Sequence, residues 1–222
     1  MRRIGLFGGT FDPIHFGHLR AALEIQEVFG LDETCLIPAA VPPHKTRTRV
    51  SDARHRLAMI RLALENDPFF SVSDLELKRS GPSYTIDTVA QVKAMLPDDA
   101  RLYLIVGRDA FAEIHTWKSY QALFRQIPFI VMSRPAGGDG RITDAAETIA
   151  ACLRNSVSRG YAFSAGTSVF RHAALQPVHV FQMTPMAISS TQIRRLVKTG
   201  RSIKFLLPPQ VATYIEKQGL YR

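Results

Sequence analysis

The chain has 222 residues, of which 46% are hydrophobic, and a formal net charge of +9, which suits one medium-sized domain with a sizeable core and an anionic partner. It contains no apolar run of the roughly 18 residues that a transmembrane helix needs, and it enters an apolar segment so directly that we expect no signal peptide. Its two cysteines are too few for a disulfide framework or a cysteine-based zinc site, so we expect a cytoplasmic protein.

The first predicted elements are a strand over residues 4–7 and a helix over residues 16–29, joined by a loop that contains Gly8 and Gly9. Glycines let backbone N–H groups approach a ligand closely, and the start of a helix attracts anions. His15 and His18 are three residues apart at the helix start, so they share a face and can reach one ligand. The segment therefore predicts a phosphate site.

A zinc site is the alternative for these two histidines. It would need two further ligands, for which His44 and His55 are the candidates. Lys45 stands beside His44 and disfavours a divalent cation there. We therefore predict no metal ligands among the side chains.

Strands and helices continue to alternate along the chain. Further strands are predicted over residues 34–37, 69–73, 102–106, 129–132 and 178–181, and further helices over residues 51–65, 83–96 and 142–153. Ser51 or Asp52 would cap the first of these helices. The alternation predicts an α/β fold with a parallel sheet and helices on both faces, whose ligands bind outside the carboxyl ends of the strands. The Gly8–Gly9 turn and the turn over residues 107–109 follow strands, and both should line that crevice.

Residues 136–176 are less regular than the rest. Apart from the helix predicted over residues 142–153, they show no clear period. We interpret them as an elaboration on the core of a single domain that spans residues 1–222.

A second set of helix-start signals lies at residues 188–194. Ser189 and Gln192 form a capping box, and Ile188 with Ile193 matches a hydrophobic staple. The first turn then carries two hydroxyls and a cation, from Ser190, Thr191 and Arg194. This helix start is again suited to phosphate. A final helix is predicted over residues 210–218, after two prolines.

The positive charge is concentrated in two segments. Residues 44–61 carry six Lys or Arg against one acid, and residues 189–204 carry five against none. A nucleic-acid-binding protein is therefore an alternative. Aromatic residues do not interleave with these charges as base-stacking platforms would, so small phosphorylated ligands fit better.

Several of these motifs resemble a known family. Residues 8–13 followed by residues 15–18 resemble the HxGH signature of a nucleotidyltransferase superfamily, and residues 188–194 resemble its second signature, ISSTxIR. Residues 42–45, 83–88, 107–109 with Trp117, and the ending 214–222 narrow the resemblance to the bacterial nicotinate-nucleotide adenylyltransferases. It implies a Rossmann-like, doubly wound parallel sheet with a small C-terminal helical part.

The resemblance also implies a reaction and its partners. ATP and nicotinate mononucleotide would give deamido-NAD and pyrophosphate, by in-line attack of the mononucleotide phosphate on the α-phosphorus of ATP, with Mg²⁺. The attacking phosphate is already ionised at neutral pH, so no general base is required. Neither nucleic acid nor a membrane is an expected partner, and a homo-oligomer is left open. Another HxGH enzyme, such as a pantetheine-phosphate adenylyltransferase or a cytidylyltransferase, is the alternative reading.

The site residues implied by the resemblance fall into three sets. The catalytic residues would be His15, His18, Lys45 and Arg194. The ATP site would add Gly8, Gly9, Thr10, Phe11, Gly107, Asp109, Arg134, Ser190 and Thr191. The mononucleotide site would contain Thr10, His44, Lys45, Tyr84, Thr85, Asp109 and Trp117.

Four of these residues have particular expected roles. Trp117, the sole tryptophan, would stack on the pyridine ring; its alternative is a core residue. Tyr84 and Thr85 open a helix whose N–H groups would accept the nicotinate carboxylate. Asp109 would bond ribose hydroxyls or a water bound to the cation, or it would instead cap the helix after it.

Overall fold

The computed structural model describes residues 1–40, 50–65, 67–133 and 142–222. Three predicted site residues, His44, Lys45 and Arg134, lie outside the described residues. Within the described part of the chain, no helix has the length and apolar character needed to span a bilayer.

Eight strands of the described residues form one sheet. They are β1 (Arg3–Gly9), β2 (Glu33–Pro38), β3 (Phe70–Val72), β4 (Arg101–Gly107), β5 (Phe129–Ser133), β6 (Ala162–Ser164), β7 (Val169–Arg171) and β8 (Val178–Gln182). The order across the sheet is β3-β2-β1-β4-β5-β8-β7-β6. All neighbours from β3 to β8 are parallel, and β7 and β6 are antiparallel. The strand order reverses beside β1, which confirms the predicted doubly wound fold.

Six helices of the described residues lie between these strands in the chain, and two follow β8. They are α1 (Phe16–Phe29), α2 (Ala53–Ala63), α3 (Thr85–Met95), α4 (Arg108–Ala112), α5 (Tyr120–Gln126), α6 (Ile142–Cys152), α7 (Ser190–Lys198) and α8 (Pro209–Lys217). A 3₁₀ turn covers Ile114–Thr116, and a π-helical turn covers Leu153–Val157. The predicted helices are present, within a few residues at each end. Asp52 caps α2, as one of the two predicted candidates.

Three features of the fold were not predicted. Gly8 and Gly9 belong to β1, paired with Ile37 and Pro38, and so end the strand instead of forming a turn. The helices α4 and α5 have five and seven residues, too few for a 3.6-residue period to show in the sequence. The three-residue strands β6 and β7 are equally short, and they place part of the irregular segment at the edge of the sheet.

Apolar residues cover both faces of the sheet because its central strands are buried on both sides. Along β4, Leu102, Leu104 and Val106 pack on one face, with residues of α3 to α6. Tyr103 and Ile105 pack on the other face, with residues of α1, α2, α7 and α8. The strand ends are thereby held at one edge, where polar loops can form a site.

Candidate active site

A cavity of about 330 Å³ lies at the carboxyl ends of β1, β2 and β4. Seven of the predicted site residues line it: Gly8, Gly9, Thr10, Tyr84, Thr85, Gly107 and Trp117. These residues come from four separate parts of the chain, and the parallel sheet brings them to one edge. The predicted crevice is therefore present at the predicted edge.

The glycines of the cavity differ in what surrounds them. Among the described residues, a Cβ on Gly8 or on Gly107 would meet no atom within 4 Å, so both face open space there. A Cβ on Gly9 would lie 2.8 Å from the ring of Phe11, which folds back over the strand end. Gly9 therefore allows the ring to pack, while Gly8 and Gly107 leave backbone accessible to a ligand.

One end of the cavity is formed by the start of α3. Tyr84 is the N-cap residue and Thr85 the first helical residue, so free N–H groups of the first turn lie beside the cavity. Lys118 Nζ lies 4.6 Å from the centre of the Tyr84 ring. Trp117 lines the same end and packs partly against the core, so its two expected roles are compatible. An aromatic ring and cationic groups thus border this end.

The two histidines lie at the start of α1 and are not among the residues that line the cavity. His15 is the N-cap residue and is 1% exposed. The His18 ring stacks on the His15 ring with 3.8 Å between centroids, and it meets the edge of Phe11 at 5.1 Å. The predicted shared face is therefore real, with His15 beneath and the half-buried His18 nearer the surface.

The start of α7 packs against the loop between β1 and α1, residues 10–15, hereafter the β1–α1 loop. Ser189 Oγ accepts a hydrogen bond from Gln192 N at 3.1 Å, which confirms the predicted cap. Ser190 Oγ donates to the Pro13 carbonyl at 2.8 Å. Arg194 Nη1 donates to the Asp12 carbonyl at 2.6 Å. The two predicted phosphate sites therefore share one wall.

For Asp109, the structure contradicts one of the two roles that we expected. The N-cap residue of α4 is Gly107, and Asp109 makes no capping bond, so the capping alternative is wrong. Its carboxylate is fully exposed, 4.0 Å from Arg108 Nε. It lies beside the cavity, next to Ala110, which lines it.

Sequence reasoning missed Arg56, which it counted only as one of the six Lys or Arg in residues 44–61. Arg56 is 1% exposed and donates to the carbonyls of Ser51, Thr10 and Ala40 at 3.0, 2.9 and 3.3 Å. Burial lowers the pKa of its guanidinium, and the nearby Asp12 carboxylate opposes that effect. Its spacing from Met59 and Ile60, three and four residues along α2, was the signal that it shares their buried face.

Asp12 was quoted only as part of a motif, and it is buried as well, at 3% exposure. Its carboxylate accepts hydrogen bonds from Ser51 N at 3.2 Å and from the Tyr221 hydroxyl at 2.7 Å. Burial and the Asp12 carboxylate raise the pKa of Tyr221 strongly, so the hydroxyl keeps its proton and donates. The β1–α1 loop is therefore held by buried groups from α2 and from the end of the chain.

Comparisons with known proteins show what the sequence is similar to. The sequence profile of the cytidylyltransferase-like family matches residues 6–196. A protein of Desulfatibacillum aliphaticivorans named as a probable nicotinate-nucleotide adenylyltransferase is 44% identical over 221 residues, covering 99% of each chain. A protein of Pseudomonas fluorescens with the same name is 44% identical over 225 residues, covering 100% of this chain and 98% of its own.

The fold has relatives among solved structures. Nicotinic acid mononucleotide adenylyltransferase of Plasmodium falciparum, solved in complex with NaAD, superposes with a TM-score of 0.72 at 20% identity, covering 100% of this chain and 98% of its own. At that identity the likeness concerns the fold. It places the fold among known architectures.

Proposed function

The chain belongs to the cytidylyltransferase-like family and, within it, to the nicotinate-nucleotide adenylyltransferases, and we propose that the cavity and the adjoining histidines and Arg194 form its active site. The enzyme joins the AMP moiety of ATP to nicotinate mononucleotide and releases pyrophosphate, with deamido-NAD as the other product. One observation carries the site assignment. Tyr84, Thr85 and Trp117, which distinguish this reaction from others of the superfamily, line one cavity together with Gly8 to Thr10.

For this reaction the protein must position the two substrates and supply positive charge. The mononucleotide phosphate is an anion at neutral pH and attacks the α-phosphorus of ATP directly. Negative charge then builds on the α-phosphate and on the leaving pyrophosphate, and fixed donors that face it lower the barrier. We assign this role to His18 and Arg194, since His18 is the more exposed ring of the stacked pair and Arg194 stands on the wall of the same loop.

The remaining predicted residues supply the supporting contacts. His15, buried beneath His18, orients the upper ring. Thr10 and the Phe11 backbone, together with Lys45 and His44, meet the mononucleotide phosphate. Ser190 and Thr191 contact the β- and γ-phosphates of ATP, and Gly107 and Arg134 lie along the adenosine.

We assign the selection of nicotinate over nicotinamide to the start of α3. The first-turn N–H groups after Tyr84 bond a carboxylate more strongly than a neutral amide, because the bond is charge-assisted and the helix dipole adds to it. Trp117 stacks on the pyridine ring at the same end of the cavity.

Mg²⁺ enters with ATP as part of the substrate. Mg²⁺ in nucleotide sites keeps phosphate and water ligands and takes few from the protein. Among the described residues no group of three or more His, Cys, Asp or Glu could hold a metal ion, and the exposed carboxylate of Asp109 is suited to a metal-bound water. The bound cation neutralises phosphate charge.

The two alternative functions, another enzyme of the superfamily and a nucleic-acid-binding protein, have less support. Relatives 44% identical along the whole chain favour nicotinate mononucleotide over phosphopantetheine. One of the charges that suggested nucleic-acid binding, the buried Arg56, is used to bond main-chain carbonyls inside the fold. Two cysteines, both without a disulfide partner in the structure, support the proposed cytoplasmic location.

Pyrophosphate release tests the proposal directly. The purified chain is given ATP with nicotinate mononucleotide, nicotinamide mononucleotide or phosphopantetheine. We expect kcat/KM for the nicotinate substrate to exceed that for the amide by about ten- to hundredfold, the worth of a charge-assisted bond. His18→Ala should lower kcat by about a hundredfold or more while the circular dichroism spectrum stays unchanged. Turnover of phosphopantetheine without turnover of nicotinate mononucleotide would refute the assignment.

A further inference from the structure

The last residues of the chain reach the wall of the active site. Tyr221, one residue from the C-terminus, has a left-handed backbone conformation with φ of 66°. This conformation is uncommon for an aromatic residue and persists where surrounding contacts hold it. Its hydroxyl donates to Asp12 Oδ1 at 2.7 Å. The reaction as proposed above has no use for this residue.

Asp12 joins that contact to the proposed phosphate site. One carboxylate oxygen accepts from Tyr221 and the other from Ser51 N at 3.2 Å. The carbonyl of the same residue accepts from Arg194 Nη1 at 2.6 Å. A shift of Asp12 would therefore move the guanidinium that faces the phosphates.

Arg56 holds the same loop at a second residue, Thr10. Its guanidinium donates to the Thr10 carbonyl, and also to the carbonyls of Ser51 and Ala40, which flank the undescribed residues 41–49. Thr10 and Asp12, two residues apart, are thus fixed by separate buried groups. The backbone between them includes Phe11, itself at φ of 49°, whose ring packs on His18.

We propose that Tyr221 is a positioning residue for the adenylyl transfer: through Asp12 it fixes the β1–α1 loop, and with it Arg194 and His18, in the geometry that the reacting phosphates require. This inference rests on the proposed phosphate site. The Asp12 carboxylate is 3% exposed, so loss of the Tyr221 hydroxyl leaves a buried anion one donor short. The loop relaxes to find a new partner. A displacement of well under 1 Å at Arg194 acts on the transition state more than on ATP binding.

A pair of tyrosine variants separates positioning from folding. Tyr214 also lies at the C-terminal end, and its hydroxyl bonds His55 Nδ1 at 2.9 Å, a residue of α2 and not of the β1–α1 loop. Tyr221→Phe and Tyr214→Phe each remove one hydroxyl and one hydrogen bond, so we expect both to fold with a lowered Tm, and the loss to be larger for Tyr221→Phe because its partner Asp12 is a buried anion. Only Tyr221→Phe should lower kcat, by about tenfold, with KM for ATP changed less than about threefold.

A double variant tests the route through Asp12. If Tyr221 acts only on Asp12, then Asp12→Ala and Asp12→Ala/Tyr221→Phe have the same kcat, because Asp12→Ala has already removed the hydrogen bond that Tyr221→Phe would remove. Additive losses would overturn the route, and equal kcat for Tyr221→Phe and Tyr214→Phe would overturn the positioning role. Arg194→Ala distinguishes a failure of the proposed phosphate site from a failure of the role of Tyr221. Full activity of that variant refutes the phosphate site itself, whereas an inactive Arg194→Ala beside a fully active Tyr221→Phe refutes only the role of Tyr221.

Discussion

Two adjacent arginines of α7 illustrate how single residues are assigned to the site. Arg194 is half-buried and bonds the Asp12 carbonyl and Thr191 Oγ1, whereas Arg195 is exposed. Consecutive helical residues point about 100° apart, so only one of them can face the β1–α1 loop. Equal charge at neighbouring positions therefore does not mean equal function.

Truncation of the two arginines should give different results. We expect Arg194→Ala to lower kcat/KM for ATP by about a hundredfold, because a fixed cation facing the transferring phosphate is lost. Arg194→Lys should recover only part of the loss, since an ammonium cannot replace the planar fork. Arg195→Ala is the matched control and should stay within about twofold of the parent. Steady-state pyrophosphate release measures all three, and comparable losses for the alanine variants would contradict the assignment.

Residues of the site differed in how visible they were in the sequence. His15, His18 and Arg194 lie in motifs in which glycines, histidines and helix caps occur together, so the type of chemistry could be inferred. Arg56 could not be separated from the surrounding basic residues by charge alone. Its burial depends on three carbonyls brought together by the loop after β1, the loop before α2 and the end of β2, which are contacts of the folded chain.

At the scale of elements, α3 shows how a helix can be fixed beside a ligand. Thr88, in its first turn, is 4% exposed and donates to Glu76 Oε1 at 2.7 Å. Arg79 Nη2 donates to the Thr88 hydroxyl at 2.7 Å. These bonds anchor the turn whose N–H groups lie beside the cavity.

Removal of this anchor should affect one substrate. Thr88→Val keeps the shape and deletes the hydroxyl, so we expect a loss of about 1–2 kcal/mol in unfolding free energy and a KM for nicotinate mononucleotide raised severalfold. KM for ATP should change little, because the proposed ATP site lies at the starts of α1 and α7 and not at α3. Thr148→Val makes the same exchange at an exposed position of α6 and should leave both KM values unchanged. Equal rises in the two KM values for Thr88→Val would count against the separate anchoring of α3.

Elements could be predicted where several turns or alternations repeat. The helix from Phe16 to Phe29 and the strands β4 and β5 carry long apolar patterns, and their bounds were nearly correct. The five residues of α4 and the three of β6 carry none. The helix α4 forms where the chain turns back along the sheet after β4. The strand β6 forms because it pairs with β7, which in turn pairs with β8. Both causes are tertiary.

At the scale of the molecule, the two ends of the parallel strands carry different groups. The carboxyl ends of the strands carry the cavity, and the amino ends carry a cluster of aromatic and cationic side chains. His179 lies in this cluster, with its ring 5.3 Å from that of Phe29 and 6.3 Å from that of Tyr103. Arg3 and Arg101 lie over the Tyr103 ring, each at 5.5 Å. Charge at this edge should therefore affect stability without affecting catalysis.

His179 makes that expectation measurable. Burial, and then the positive charges of Arg171, Arg101 and Arg3, lower its pKa from 6.5 to about 4 in the folded chain. Between those two values the unfolded chain binds a proton that the folded chain does not, so the free energy of unfolding falls as pH drops from 6.5 towards 4. Because the ring is partly exposed and solvent screens it, we expect a contribution of about 1 kcal/mol between pH 7 and pH 5.

Urea unfolding at pH 7 and pH 5 checks this contribution. His179→Gln cannot take up a proton, so its loss of stability on acidification should be smaller than that of the parent by this amount. His115→Gln, at an exposed position in the 3₁₀ turn, should keep the full dependence. Since His179 lies at the edge opposite the cavity, kcat of His179→Gln at pH 7 should equal that of the parent. An unchanged acid dependence in His179→Gln would mean that other groups, chiefly carboxylates, account for the whole slope.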